Sequence, residues 1–141
     1  MWIAILIAVI VLIILLLPLV RTTPGRNELK NMEIADVDFK KLRDGTYEGK
    51  YRGIHDNLRD VAVEVKIVSG VLTKIKIKRD GLNKKKRRAD PKFAEAVNTM
   101  FDAVLKAQSL QVDTVSGATL TCKANLKAVE YALEKAKAKE D

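Results

Sequence analysis

Apolar positions follow several different patterns along the chain, and each predicts a different element. From Met1 to Val20 they are continuous, uncharged and almost wholly aliphatic, with Trp2 near one end and Arg21 closing the other. At ~1.5 Å per helical residue such a run reaches about 30 Å, the thickness of a bilayer's hydrocarbon core, and predicts a transmembrane helix with Pro18 in its last turn. A cleavable signal peptide would call for a basic leader, a shorter apolar core and a small-residue cleavage site, and this run has none of them. From Asp60 to Lys78 the pattern changes to strict alternation. Val61, Val63, Val65 and Ile67 form one apolar face, Val71, Thr73, Ile75 and Ile77 another, and the two strands predict a hairpin. Its register follows from keeping those faces together. A two-residue Ser69-Gly70 loop would set Val65 against Lys74, whereas a three-residue Val68-Ser69-Gly70 loop pairs Ile67 with Val71, Val65 with Thr73, Val63 with Ile75 and Glu64 with Lys74, with Gly70 in the left-handed position.

Beyond the hairpin the period becomes helical. Phe93, Val97, Phe101 and Val104, widened by Ala94 and Leu105, predict a helix over Pro91 to Ala107 with Asp90 as its N-cap. A final helix, Ala118 to Lys137, sets Leu126, Val129 and Leu133 on one face and ends in lysines that suit the carboxyl pole of its dipole. Gln108 to Val112 predicts a short strand or an extended segment leading into that helix. Earlier in the chain Thr22 to Asn27 is a polar, turn-rich linker, and Glu28 to Leu42 is helix-compatible with unevenly spaced apolar residues, packing on the domain or serving as a stalk. Gly45 opens a strand over Thr46 to Tyr51 that puts Tyr47, Gly49 and Tyr51 on one face, Glu48 and Lys50 on the other. An isolated hairpin is marginal, so this strand completes the sheet. The expected fold is α+β: a small antiparallel sheet packed by helices, behind one N-terminal transmembrane helix. The expected division is an anchor over 1–20, a linker or stalk over 21–43 and one domain over 44–141.

Composition narrows the function classes. The 141 residues have room for one domain after the anchor, and 48% of them are hydrophobic, enough for a core. All 26 Lys and Arg and all 18 Asp and Glu residues fall after position 20, so the net charge of +8 belongs to the part outside the anchor and favours anionic partners. One Cys and one His exclude an intrachain disulfide and give no metal-ligand spacing, and Cys122 is expected to pack inside its helix. The run Lys84-Lys85-Lys86-Arg87-Arg88 is a solvated loop or a contact for anionic lipid or an acidic protein. No aromatic residues interleave with it, so nucleic acid is not expected.

The candidate chemistry lies in Asp113-Thr114-Val115-Ser116-Gly117-Ala118-Thr119-Leu120-Thr121, a hydroxyl-rich turn entering the last helix. Asp113 and Ser116 are residue types that cap helices. Gly117 and Ala118 leave the backbone open to close approach, and Thr119 offers an alcohol at the rim. The turn is either a capped helix start or an anion site of the kind that takes a phosphate. Tyr47 and Gly49 are either core-edge residues or the border of a flat ring. No general base or nucleophilic triad is visible, so no catalytic residue is assigned.

Asp113-x-x-Ser116-Gly117-Ala118-Thr119, followed by Thr121, resembles the attachment motif of the FMN-binding domain family, which includes the flavin-carrying C subunit of the sodium-translocating NADH:quinone oxidoreductase and the G subunit of the Rnf-type complex. Asp44-Gly45-Thr46-Tyr47-x-Gly49 resembles the family's opening strand. The similarity extends over roughly Asp44 to Leu133. It implies FMN held by a phosphodiester to Thr119, installed by a separate flavin transferase, with Asp113, Ser116, Gly117, Ala118 and Thr121 around it and Tyr47 and Gly49 as further contacts. It also implies electron transfer with membrane or surface redox partners rather than a stand-alone enzyme. Arg21, Arg26 and Lys30 after the anchor favour a cytoplasmic domain by the positive-inside rule. The resemblance implies the opposite face, and the expectation adopted is a single-pass protein of the cell membrane with its domain extracytoplasmic. Two alternatives remain at this point: a membrane-tethered binding module without cofactor, and a noncovalent FMN binder.

Overall fold

In the computed structural model, which describes residues 1–54, 60–78 and 91–137, the hairpin's alternating strands form the middle and one edge of a three-stranded antiparallel sheet. Its strands are β1 (Gly45–Tyr51), β2 (Val61–Val68) and β3 (Val71–Lys78), in the order β1-β2-β3. Among the described residues, three α-helices, α1 (Trp2–Asn31), α2 (Pro91–Ala107) and α3 (Thr119–Ala136), and one short 3-10 turn (Phe39–Lys41) complete the α+β fold. Helix α3 lies across β1 and β2, while α2 packs on α3 and β3. The core is built from Val61, Val63, Val65 and Ile67 of β2 facing Leu126, Val129 and Leu133 of α3, with Val97, Met100, Phe101 and Val104 of α2 beside them. Cys122 is fully buried within α3, as expected. Of the expected α2 stripe, Phe93 stands 38% exposed, and Ala96 and Met100 are in the core in its place.

The hairpin register differs from the expected one. Val68 faces Val71 and Ile67 faces Leu72, so the turn has two residues, Ser69 and Gly70, at φ 53° and 74°. That pair of left-handed residues suits the twist of a tight hairpin. A bulge follows at once: Lys66 pairs with Lys74, leaving Thr73 as an extra residue on β3, and beyond it Val65 faces Ile75, Val63 faces Ile77 and Glu64 faces Lys76. The bulge removes the mismatch that made a two-residue loop look unfavourable. It turns Leu72 into the core and leaves Val71 48% exposed. The hydroxyl of Thr73 donates to the carbonyl of Lys66 (3.1 Å).

Outside the bulge, Gln108 takes the place of a neighbouring strand. Its Oε1 accepts from the Leu72 amide (3.1 Å), and its Nε2 donates to the Leu72 carbonyl (2.9 Å) and to the Leu105 carbonyl at the end of α2 (2.8 Å). Gln108 itself has φ 47°, which ends α2. Of the two alternatives expected over Gln108 to Val112, the strand is not formed: among the described residues this connection joins no ladder.

The N-terminal part departs most from local sequence signals. Helix α1 runs unbroken from the apolar stretch through Thr22 to Asn27, the segment expected to be a turn-rich linker. Its last turns are held by tertiary contacts that outweigh local turn propensity: Leu29 is 1% exposed, and Glu28 accepts from the Tyr51 hydroxyl (3.1 Å) and the Ile54 amide (3.1 Å). After Asn31 the chain is extended as far as one short 3-10 turn, Phe39–Lys41, rather than α-helical, because its apolar residues do not line up on one helical face. Val37, Phe39 and Leu42 are buried there, and the Ala35 amide donates to the buried Glu130 (3.1 Å). The described side chains of the apolar half of α1 end at Pro18, and among the described residues no helix is long and apolar enough to cross a membrane. Asp90 and the basic run Lys84 to Arg88 lie outside the described residues.

Candidate functional site

Helix α3 begins without a side-chain cap. Leu110, 1% exposed, anchors the connection after α2, and Val112 and Val115 pack partly against the core. A turn at Ser116 and Gly117 then brings the Ala118 amide to the Val115 carbonyl (3.0 Å). Gly117 has φ 83° with open space where a Cβ would stand, so the turn needs glycine for its backbone rather than for packing. Ala118 is the N-cap, its carbonyl accepting from the Cys122 amide (2.9 Å). No side chain caps the helix, and no acidic residue lies in its first turn. Asp113 and Ser116 are exposed and do not perform the capping their types suggest. Ala118 is 6% exposed, so of the two small residues it is Gly117 that leaves the backbone open.

Amides at a helix start have no intrahelical acceptor, and the aligned peptide dipoles make that end electropositive. Thr119 is the first helical residue and is exposed. It lines an open cleft of about 470 Å³ together with Leu120 and three residues of α1, Arg26, Asn27 and Lys30. Thr121 is half-buried and does not line this cleft; its carbonyl accepts from Asn125 Nδ2 (2.8 Å). Asp113 and Thr114 face a second open cleft, about 540 Å³, between the extended segment at Met32 to Ile34 and Lys123. Within the motif, then, Thr119 is the hydroxyl that reaches the basic cleft.

The α1 residues come to Thr119 because both ends of the contact are fastened. The Lys123 ammonium, one turn into α3, donates to the carbonyl of Lys30 (3.0 Å) and approaches that of Met32 (3.5 Å). These are carbonyls at the electronegative end of α1, where a cation is favoured. Arg26 and Lys30 are separated by one helical turn and so share a face. That spacing was readable in the sequence, yet nothing local connected it to a motif some ninety positions later.

Tyr47 and Gly49 are at the other end of α3. A Cβ on Gly49 would stand 1.9 Å from the Ala128 carbonyl oxygen and 2.5 Å from the Ala132 amide, so this glycine exists for the close approach of strand and helix. Ala128 and Ala132 are about 14 and 20 Å along the helix from Thr119 at its usual rise. The Tyr47 hydroxyl donates to the Asp44 carbonyl (3.1 Å). The structure does not bring either residue to the Thr119 cleft, and Gly49 packs against the α3 backbone.

Fold and site define a small α+β domain with an electropositive, hydroxyl-bearing recess suited to a nucleotide phosphate. A family model described as FMN-binding domain matches residues 53–134, more than half of the chain, and the chain belongs to that family. FMN is its cofactor. The matched segment contains the whole Asp113 to Thr121 motif and leaves out β1 and α1. No curated protein matches the chain. The donor set fits the phosphate end of FMN: uncapped amides, an alcohol, two cations and no first-turn carboxylate.

Proposed function

We propose that this chain is a membrane-anchored flavoprotein that carries FMN in a phosphodiester to the Thr119 Oγ1 and passes electrons between redox partners. The observation that carries the proposal is the exposure of Thr119 on the basic cleft at an uncapped helix start, while Thr121 is half-buried and does not line that cleft. In the attachment the Thr119 oxygen forms the new bond to the flavin-side phosphorus of a flavin dinucleotide, the pyrophosphate P–O bond breaks, the nucleoside monophosphate leaves with that oxygen, and the threonine proton passes to a base of the transferase. When bound, the flavin ring supplies one- and two-electron chemistry. The chain's own residues hold the phosphate: Thr119 by the covalent link, the first amides of α3 by hydrogen bonding and Gly117 by leaving room for approach.

Residues 1–20 are the proposed anchor. The large apolar side chains from Trp2 to Leu17 stand 44–85% exposed, and each such group left in water forgoes about 25 cal/mol per Å². A helix apolar on all sides calls for an apolar surrounding. Because α1 continues as one helix to Asn31, Lys30 is about 15 Å beyond Val20 along its axis. That short, helical spacing suits partners in or at the membrane. The extracytoplasmic side and maturation by a flavin transferase follow the family.

The test is co-production of the full chain with a flavin transferase, comparing Thr119→Ala with Thr121→Ala. Loss of covalent flavin in the first variant and its retention in the second is expected; the reverse pattern would assign the link to Thr121.

A further inference from the structure

Arg26 and Lys30 bring two cations to the cleft that exposes the Thr119 hydroxyl. Both line the Thr119 cleft from α1, and among the described residues neither side chain forms an ion pair. Opposite them is the positive pole of α3, uncapped and without a carboxylate in its first turn. Lys30, in the last turn of α1, and Arg26, one turn before it, are favoured by the C-terminal pole of their own helix, while the cleft they share with the positive pole of α3 has no carboxylate in its lining among the described residues. A phosphate placed there is attracted by both cations and by the start of α3 together.

We infer that Arg26 and Lys30 are phosphate-binding residues of the flavin site, so that the helix leading out of the apolar stretch completes a cradle otherwise made by the start of α3. This rests on the reading that the FMN phosphate sits at Thr119. Lys123 is the positioning residue: by taking the carbonyls of Lys30 and Met32 it holds the end of α1 against the first turns of α3. The family match begins at residue 53, and the cradle therefore reaches outside the matched segment. The ligand chemistry is a phosphate ester. Arg26 offers a planar fork for two phosphate oxygens and Lys30 a point charge.

The experiment uses the full chain in detergent, produced without transferase, and follows thermal unfolding during titration with FMN and, separately, with riboflavin, which lacks the phosphate. The wild-type chain is compared with Arg26→Gln/Lys30→Gln, both sites being exposed. FMN is expected to shift the wild-type unfolding at about tenfold lower concentration than it shifts the variant, with riboflavin acting equally on both and inorganic phosphate competing with FMN at lower concentration on the wild type than on the variant. A single Arg26→Lys change is expected to recover part of the difference. An equal FMN response in wild type and variant, an equal loss for riboflavin, or no advantage of FMN over riboflavin in the wild type overturns the inference. Absence of flavin on Thr119 in transferase-treated wild type would sink the covalent reading alone, because this titration never requires the link.

Discussion

Gly49 and Ala128 are in contact through backbone alone: a Cβ added to the strand residue would meet the helix carbonyl oxygen at 1.9 Å. The next nearest atom is also backbone, the Ala132 amide nitrogen at 2.5 Å. Neither can swing aside as a side chain would. Gly49→Ala is expected to lower stability by about 3 kcal/mol or more, since α3 must lift from β1 to admit the methyl group. Urea unfolding followed by circular dichroism measures this. Adding Ala132→Gly to Gly49→Ala is expected to restore little, because it removes only the 3.0 Å contact with the Ala132 side chain.

Asp44, just before β1, holds the tip of the other hairpin. Its two carboxylate oxygens accept from the amides of Ser69 (2.9 Å) and Gly70 (2.8 Å), the two left-handed residues of the turn. Asp44→Ala is expected to cost about 1–2 kcal/mol, as charge-assisted bonds to backbone amides are lost at an exposed site. Asp44→Asn is expected to cost less. The same denaturation series distinguishes the two variants.

Glu48 and Glu64 face each other across β1 and β2, a pairing of like charges that is unfavourable alone. Lys78 sits between them, at 2.6 Å from Glu48 and 4.0 Å from Glu64, and Lys50 is 3.2 Å from Glu48. The hydrogen bond from Lys78, then that from Lys50, lowers the Glu48 carboxyl below its ordinary value of 4.5. A carboxyl lowered in the folded state adds stability above its unfolded value and loses that stability as pH falls through the folded one. The side chains are 31% and 36% exposed, which limits the effect to roughly 0.5 kcal/mol. Glu48→Gln is therefore expected to be slightly less stable than wild type at pH 7, the gap closing as the pH drops below 4.5.

Elements with strong periodicity were legible in the sequence. The strands around Val61 to Ile77 and the helix from Pro91 to Ala107 emerged within a residue or so, and the helix after the motif began at Thr119. The hairpin register was not legible, because the bulge at Thr73 changes which residues share a face and no local signal marks it. Its support comes from Gln108, 36 positions away from Leu72. Likewise Pro24 and Gly25 look like a break, but the run continues as helix where Glu28, Leu29 and Lys123 fix its end.

The candidate site divides along the same line. Thr119 was readable because the hydroxyl, the small residues and the helix start are contiguous. Arg26 and Lys30 were visible only as charges following an apolar run, where they weighed on membrane orientation. The Lys123 to Lys30 bond spans 93 positions, and it is this contact that makes them part of the cleft. The packing role of Gly49 is hidden for the opposite reason: its neighbours on its own face of β1 are aromatic, but its partner is the backbone of α3.

The most direct measurement is intact mass and visible absorbance of the full chain co-produced with a flavin transferase, followed by denaturation and peptide mapping. The account predicts one FMN retained after denaturation, on the peptide that contains Thr119 and on that residue within it. A colourless protein of unmodified mass, or flavin released on unfolding, would contradict the covalent carrier, and flavin found on Thr121 would contradict the site.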